Sequence, residues 1–156
     1  MEIDQSCRYV IGSVGKATGL SVFTISASYH EESELVLIEG YPLKRLAYWS
    51  EPVYLKYNVF EDNVEKVSFT VTPVDGDPDI YVSRTSDRPN KNNAEKHSAN
   101  YLSDTVTYNL GEDGATLEGE YHITVTADYG FSYFTIVALE EFANRNSMIK
   151  LLPGHV

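Results

Sequence analysis

Cysteine is almost missing from this chain of 156 residues, because Cys7 is the single example. One thiol cannot close an internal disulfide, so Cys7 is either a buried thiol or half of a bridge to a partner outside this segment. Basic residues are also scarce, since 12 Lys and Arg face 23 Asp and Glu and leave a net charge of −11. A surface of that sign repels phosphate backbones, so we expect no nucleic-acid partner.

Long apolar runs are missing as well. A membrane helix needs about 18 or more apolar residues in succession, and no such run occurs, so we expect no membrane insertion within this segment. The opening residues MEIDQSCRYV lack the basic end and apolar core of a signal peptide. The motifs G-x-S-x-G, H-E-x-x-H and the P-loop do not occur, and the four histidines lack zinc-site spacing. We therefore predict that the chain is not an enzyme.

Alternating apolar residues are plentiful, and most of the 12 tyrosines fall within them. Helical periodicity is weak, whereas period-2 runs recur between clusters of Gly, Pro, Asn and Asp. The pattern predicts an all-β fold, an antiparallel β-sandwich of the jelly-roll kind. The alternation marks strands at these positions: Val53, Leu55, Tyr57 and Val59, which point to one face; Val67, Phe69 and Val71, ended by Pro73; Ile80 and Val82; Val106, Tyr108 and Leu110; Tyr121, Ile123 and Val125; and Phe134, Ile136 and Ala138.

Two distant segments share the pattern S-x-F-T-I-x-A, one starting at Ser21 and the other at Ser132. A second match joins Leu35–Leu43 to Ile149–Val156 at a similar, domain-sized spacing. The repeat predicts that residues 1–34 are the last strands of a preceding module. Residues 35–140 would then be a complete module, and residues 141–156 the first strand of a following one. The alternative is two ordinary hairpins of similar composition.

The motif GDPDIYVS, Gly76–Ser83, resembles the G-D-x-D-[LI]-Y-V strand of bacterial pre-peptidase C-terminal domains. Those domains end with a G-x-Y-x-[IV]-x-V strand followed by F-T-[IL]. The matching residues here are Gly119, Tyr121, Ile123, Val125, Phe134, Thr135 and Ile136. The resemblance as a whole covers roughly residues 50–140. The resemblance implies a jelly-roll-like, extracellular sandwich without a catalytic group of its own. Such domains are appendages of secreted proteases or tandem modules of surface proteins, and some related modules bind calcium.

Three aspartates, Asp75, Asp77 and Asp79, alternate around a Gly-Pro turn. Carboxylates that converge in this way suit Ca²⁺, which takes six to eight oxygen ligands. Asp104 and the turn Glu112–Asp113 would add ligands if folding brings them near. The alternative is turn capping, in which Asp side chains accept bonds from backbone N–H groups.

The polar segment Ser83–Ser103 contains the locally basic patch of the chain, and we predict a partner contact there through Lys91 and Asn93. Trp49 and Tyr54 are candidates for stacking on sugar rings. The alternative is that Trp49 packs at the base of the sandwich or against a neighbouring module.

These observations favour a non-catalytic, extracellular structural or adhesive module of a tandem-repeat surface or filament protein, stabilised by calcium. Its partners would be neighbouring repeats or other chains of an extracellular assembly. The alternative function is a carbohydrate- or protein-binding appendage of a secreted protease or other hydrolase.

Overall fold

The computed structural model describes residues 35–143, and all of the regular structure in this range is β-strand. None of these residues forms an apolar helix long enough to cross a bilayer. The strands are β1 Leu35–Val36, β2 Leu43–Tyr48, β3 Val53–Val59, β4 Val64–Asp75, β5 Pro78–Ser83, β6 Lys96–Ser98, β7 Asp104–Asn109, β8 Gly119–Ala127 and β9 Phe131–Phe142.

The strands form two sheets, one of five strands in the order β1-β3-β8-β5-β6 and one of four in the order β2-β9-β4-β7. The predicted all-β sandwich is confirmed. One pairing departs from the antiparallel rule, because β1 runs parallel to β3 with Leu35 opposite Leu55. The predicted module pieces are residues 1–34, which lie outside the described residues, and residues 141–156, which lie outside them from residue 144 onward. The division into repeats therefore stays a prediction.

The core lies between the sheets and is filled by the inward half of each alternating strand. Aromatic rings from both sheets meet there: Tyr57 packs against Phe69 with a centroid distance of 5.6 Å, and Phe69 against Tyr121 at 5.5 Å. Tyr108 meets Tyr121 edge-on at 5.0 Å. Edge-to-face pairs of this kind add about 0.5–1.5 kcal/mol beyond the area they bury. The tyrosine-rich strands therefore supply the core as well as the surface.

The expected end of a strand at Pro73 is wrong, because β4 continues to Asp75. β7 pairs with β4 only as far as Val71, so the missing N–H of Pro73 interrupts no bond to β7. At the opposite edge of β4, the pairing register with β9 shifts between Pro73 and Asp75, so a β-bulge lies next to the proline. The segment 83–103, expected as a loop, also contains the short strand β6, paired with β5.

Candidate functional site

A cleft of about 440 Å³ lies on the outer face of the five-stranded sheet. Its floor comes from β3, β8 and β5, where Tyr54 and Tyr81 each lie directly opposite Thr124. The period of two in a strand places these three side chains on the same face, away from the core. One wall is formed by residues 84–95, between β5 and β6, which we call the wall segment. The lining residues are Pro52, Tyr54, Tyr81, Arg88, Pro89, Asn90, Lys91, Asn92, Thr124 and Thr126.

The wall segment is ordered by hydrogen bonds within itself. Ser83 Oγ accepts bonds from the backbone N–H groups of Thr85, at 3.1 Å, and Ser86, at 3.0 Å. Asn93 Oδ1 accepts from the Asn90 N–H at 2.7 Å, and Asn93 Nδ2 donates to Ser86 Oγ at 2.9 Å. The predicted binding residue Asn93 thus has a role in shaping the loop, and its contact with a ligand stays a prediction. A wall fixed in this way loses little conformational entropy when a ligand binds.

The two ends of the wall segment are joined through Arg84 and Glu95. Arg84 Nε lies 3.6 Å from Glu95 Oε2, and the Arg84 guanidinium lies 5.4 Å from the ring centroid of Tyr108. Arg84 also donates to the backbone oxygens of Asp113 and Thr116, which belong to the loop after β7. Burial, reinforced by the Glu95 charge and its hydrogen bond, holds the pKa of Tyr108 well above its usual range. The Tyr108 hydroxyl therefore remains a neutral donor to Glu95.

The cleft combines aromatic, cationic and hydroxyl groups. The Arg88 guanidinium lies over the Tyr54 ring, 4.7 Å from its centroid, and Lys91 follows on the same wall. Thr124 is only 4% exposed, yet its Oγ1 has no hydrogen-bond partner among the described residues. An unsatisfied buried hydroxyl costs about 1–3 kcal/mol, so a ligand that bonds to it recovers stability.

The structure brings two of the predicted contact residues, Tyr54 and Lys91, into this cleft, and it does not bring Trp49 there. Trp49 lies in the turn after β2 and is 66% exposed, so the alternative that it packs at the base of the sandwich is wrong. It belongs instead to an exposed group on the four-stranded sheet, which we call the aromatic patch: Leu46, Tyr48, Trp49, Tyr129, Phe131 and Tyr133. Cross-strand pairing places Leu46 opposite Tyr133 and Tyr48 opposite Phe131.

The predicted metal ligands are only partly brought together. Burial is the largest cause that raises the pKa of Asp79 to about 6, and the charges of Asp128, Asp104 and Asp77 add to it. A hydrogen bond from Tyr81 lowers the pKa and offsets part of this rise. Asp128 is therefore a member of the cluster that the sequence did not indicate. Asp75 lies at the exposed end of β4 in the other sheet, where its backbone oxygen accepts a bond from Ser132 Oγ.

Asp104 caps the loop before β7. Its fully buried side chain accepts bonds at Oδ1 from Ser98 Oγ at 2.6 Å and from the Asn100 N–H at 3.0 Å, while Oδ2 has no partner among the described residues. Asp113, expected to add a ligand, instead accepts bonds from Lys96 Nζ and the Asn109 N–H. Within residues 35–143, no group of three or more His, Cys, Asp or Glu side chains is placed to hold a metal ion. Turn capping is thus the observed role of Asp104.

No protein-family model matches this chain, and no curated protein matches it. Solved structures do match. The chain is similar to the pre-peptidase C-terminal domain of a collagenase from Bacillus anthracis, at 11% sequence identity and a TM-score of 0.47. The likeness covers 71% of this chain and 99% of that domain. It is the same kind of domain that the motif Gly76–Ser83 resembles.

Proposed function

We propose that this chain is a non-catalytic, extracellular recognition module that binds carbohydrate in the cleft on the five-stranded sheet. The observation that carries the proposal is the Thr124 hydroxyl, which is buried, lies between the rings of Tyr54 and Tyr81, and has no hydrogen-bond partner within residues 35–143. Sugars present apolar C–H faces that pack on aromatic rings, and hydroxyls that bond to polar groups between them. A purely apolar ligand would leave the Thr124 hydroxyl unsatisfied.

The size and stiffness of the cleft support a small, defined ligand. A volume of about 440 Å³ falls within the range of about 300–1,000 Å³ typical of ligand pockets. The wall is held by Ser83, Asn93 and the Arg84–Glu95 pair, so the cleft is formed before a ligand arrives. The resemblance of Gly76–Ser83 to appendage domains of secreted proteins supports the extracellular location.

The proposal is tested with a glycan array probed with the full chain, followed by calorimetry with the glycans that bind. Thr124→Val keeps the shape of the side chain and removes the hydroxyl, so we expect affinity to fall by about ten-fold, or about 1.4 kcal/mol. Thr72→Val is the matched control, because Thr72 is exposed on a strand of the other sheet. Equal affinity of Thr124→Val and wild type would overturn the assignment of the cleft.

A second candidate function is that of a structural module in an extracellular array, and the aromatic patch favours it. Six large side chains from the turns and strands of β2 and β9 stay exposed there, among them Tyr129 at 89%. Exposed apolar groups of this kind mark surfaces that contact other proteins. Light scattering of wild type and the double variant Trp49→Ser, Phe131→Ser distinguishes the two functions, since only an array module is expected to lose self-association.

Calcium stabilisation remains a proposal for the end of the sandwich where Asp77, Asp79 and Asp128 of the five-stranded sheet approach Asp104 of the other sheet. It requires these carboxylates to move closer together, because no three such side chains among residues 35–143 are already placed to hold a metal ion. It is supported by Asp104 Oδ2, which has no partner among the described residues, and by Asp79, whose pKa is raised by burial and then by repulsion from Asp128, Asp104 and Asp77. A bound cation would relieve that repulsion. We expect a higher melting temperature in Ca²⁺ than in EDTA, and identical melting in both would remove the proposal.

A further inference from the structure

We propose that the cleft selects acidic glycans, with an anionic sugar substituent held by Arg88 and Lys91. This inference rests on the proposed carbohydrate-binding function and adds the chemical class of the ligand. It starts from the placement of positive charge in a chain of net charge −11. Both cations lie on the same wall of the cleft, on either side of Pro89 and Asn90.

Cations elsewhere in the sandwich are mostly neutralised by carboxylates. Lys56 pairs with Glu120 at 3.2 Å, and Lys66 with Glu141 at 2.6 Å. Arg84 and Lys96 pair with Glu95 and Asp113, at 3.6 and 2.7 Å.

Arg88 and Lys91, by contrast, form no ion pair with a carboxylate among residues 35–143, and neither do the cations Lys44 and Arg45 of the edge strand β2. Of these four, Arg88 and Lys91 line the cleft described above, and Lys44 and Arg45 do not. Two uncompensated cations beside a preformed cavity give the cleft a local positive field.

Arg88 is also held in position. Its guanidinium lies 4.7 Å from the Tyr54 ring centroid, and the adjacent Pro89 is buried, which fixes the backbone that carries it. A guanidinium stacked on an aromatic face keeps its N–H groups free at the edge, where they match a carboxylate or sulfate. Lys91 adds a point charge on the same side.

Negative charge lies beside the floor, next to the residues that line the cleft, and we expect it to orient the ligand. Asp79 lies opposite the cleft residue Thr126 and accepts a hydrogen bond from Tyr81. A carboxylate there repels the anionic end of a sugar and accepts bonds from its hydroxyls. The anionic substituent is therefore expected at Arg88 and Lys91, and neutral hydroxyls at Thr124 and Asp79.

The test compares three probes against the full chain by calorimetry: a galacturonic acid oligosaccharide, its fully methyl-esterified and hence neutral form, and a sulfated disaccharide. We expect the acid to bind at least ten-fold tighter than the ester, with a preference that shrinks between 50 and 200 mM NaCl as screening increases. Arg88→Gln and Lys91→Gln should each reduce that preference several-fold. Thr124→Val should weaken the acid and the ester alike.

Lys44→Gln is the control, because it changes the net charge equally from an exposed position on the other sheet. Unchanged melting temperatures of the variants confirm that they fold. Equal binding of acid and ester would overturn the inference and leave carbohydrate binding intact. Binding of none of the glycans, acidic or neutral, would overturn the proposed function itself. Preference for the sulfated probe, lost in Arg88→Gln, supports the inference and identifies sulfate as the anion.

Discussion

Replacing Asp79 with asparagine should stabilise the protein at pH 8 and leave its stability at pH 4 almost unchanged. Burial, followed by the charges of Asp128, Asp104 and Asp77, raises the pKa of Asp79 from 3.8 to about 6. The ionised form is therefore disfavoured in the folded state. This penalty is absent below about pH 4, grows between pH 4 and 6, and is complete above pH 6.

The size of the effect follows from the same shift. At about 1.36 kcal/mol per pKa unit, the rise from 3.8 to about 6 gives an upper limit of about 3 kcal/mol. The carboxyl is partly exposed, and solvent screening reduces the expected gain to about 1–2 kcal/mol. Asparagine keeps the size of the side chain and an oxygen that accepts the bond from Tyr81.

The assay is urea unfolding at pH 4 and pH 8 in EDTA, so that divalent cations do not mask the repulsion. Asp62→Asn serves as the control, because Asp62 is exposed in the turn between β3 and β4. Its effect should stay within about 0.5 kcal/mol at both pH values. Asp79→Asn that is less stable than wild type at pH 8, or equally more stable at both pH values, would refute the reasoning.

Three further substitutions test the scaffold. Gly76→Ala should destabilise by at least about 1 kcal/mol in urea unfolding, because Gly76 has a φ of +80° and an added Cβ would clash with the Phe131 carbonyl oxygen. Tyr121→Phe should cost about 1–2 kcal/mol in the same assay, since the hydroxyl donates a buried bond of 2.8 Å to the Leu117 oxygen. Arg84→Met should speed amide hydrogen exchange across residues 85–95 while the central strands keep their protection, and uniform exchange rates in both proteins would contradict the anchoring role.

Much of the fold follows from the alternation of residues along the longer strands. Tyr57, Phe69 and Tyr121 were expected at alternating positions of three strands, and in the structure these positions face the core. The alternation did not indicate β1, β2 or β6. β1 and β6 have two and three residues, and a period of two cannot be recognised over so few positions. β2 has six residues, but its sequence LKRLAY does not alternate apolar and polar residues. The parallel pairing of β1 with β3 depends on how the chain connects the two strands in space, and the local alternation of residues carries no information about that connection.

The candidate site was less predictable, because its parts meet only through strand pairing. Tyr54 and Lys91 were singled out, whereas Tyr81 and Thr124 were not, although both lie on strands that the alternation predicted. Register between β3, β8 and β5 places them side by side, and register is a tertiary property.

For the aspartates Asp75, Asp77 and Asp79, the sequence predicted a convergence that the structure shows only in part. Even spacing suggested that Asp75 and Asp79 converge, but the first ends β4 in one sheet and the second lies on β5 in the other. Convergence from alternate positions would need a single strand to carry both residues. Asp128 replaces Asp75 as a neighbour because the turn after β8 returns to the Asp77 backbone, with a bond of 3.0 Å between them.

Mapping backbone amide shifts by NMR, while an array-selected glycan is titrated into the full chain, is the most direct measurement of where this sandwich binds. We expect the largest shifts at Tyr54, Tyr81, Thr124 and along the wall from Arg88 to Asn92, all on the outer face of the five-stranded sheet. Shifts confined to the aromatic patch around Phe131 and Tyr133, with the cleft unchanged, would contradict the cleft as the recognition site.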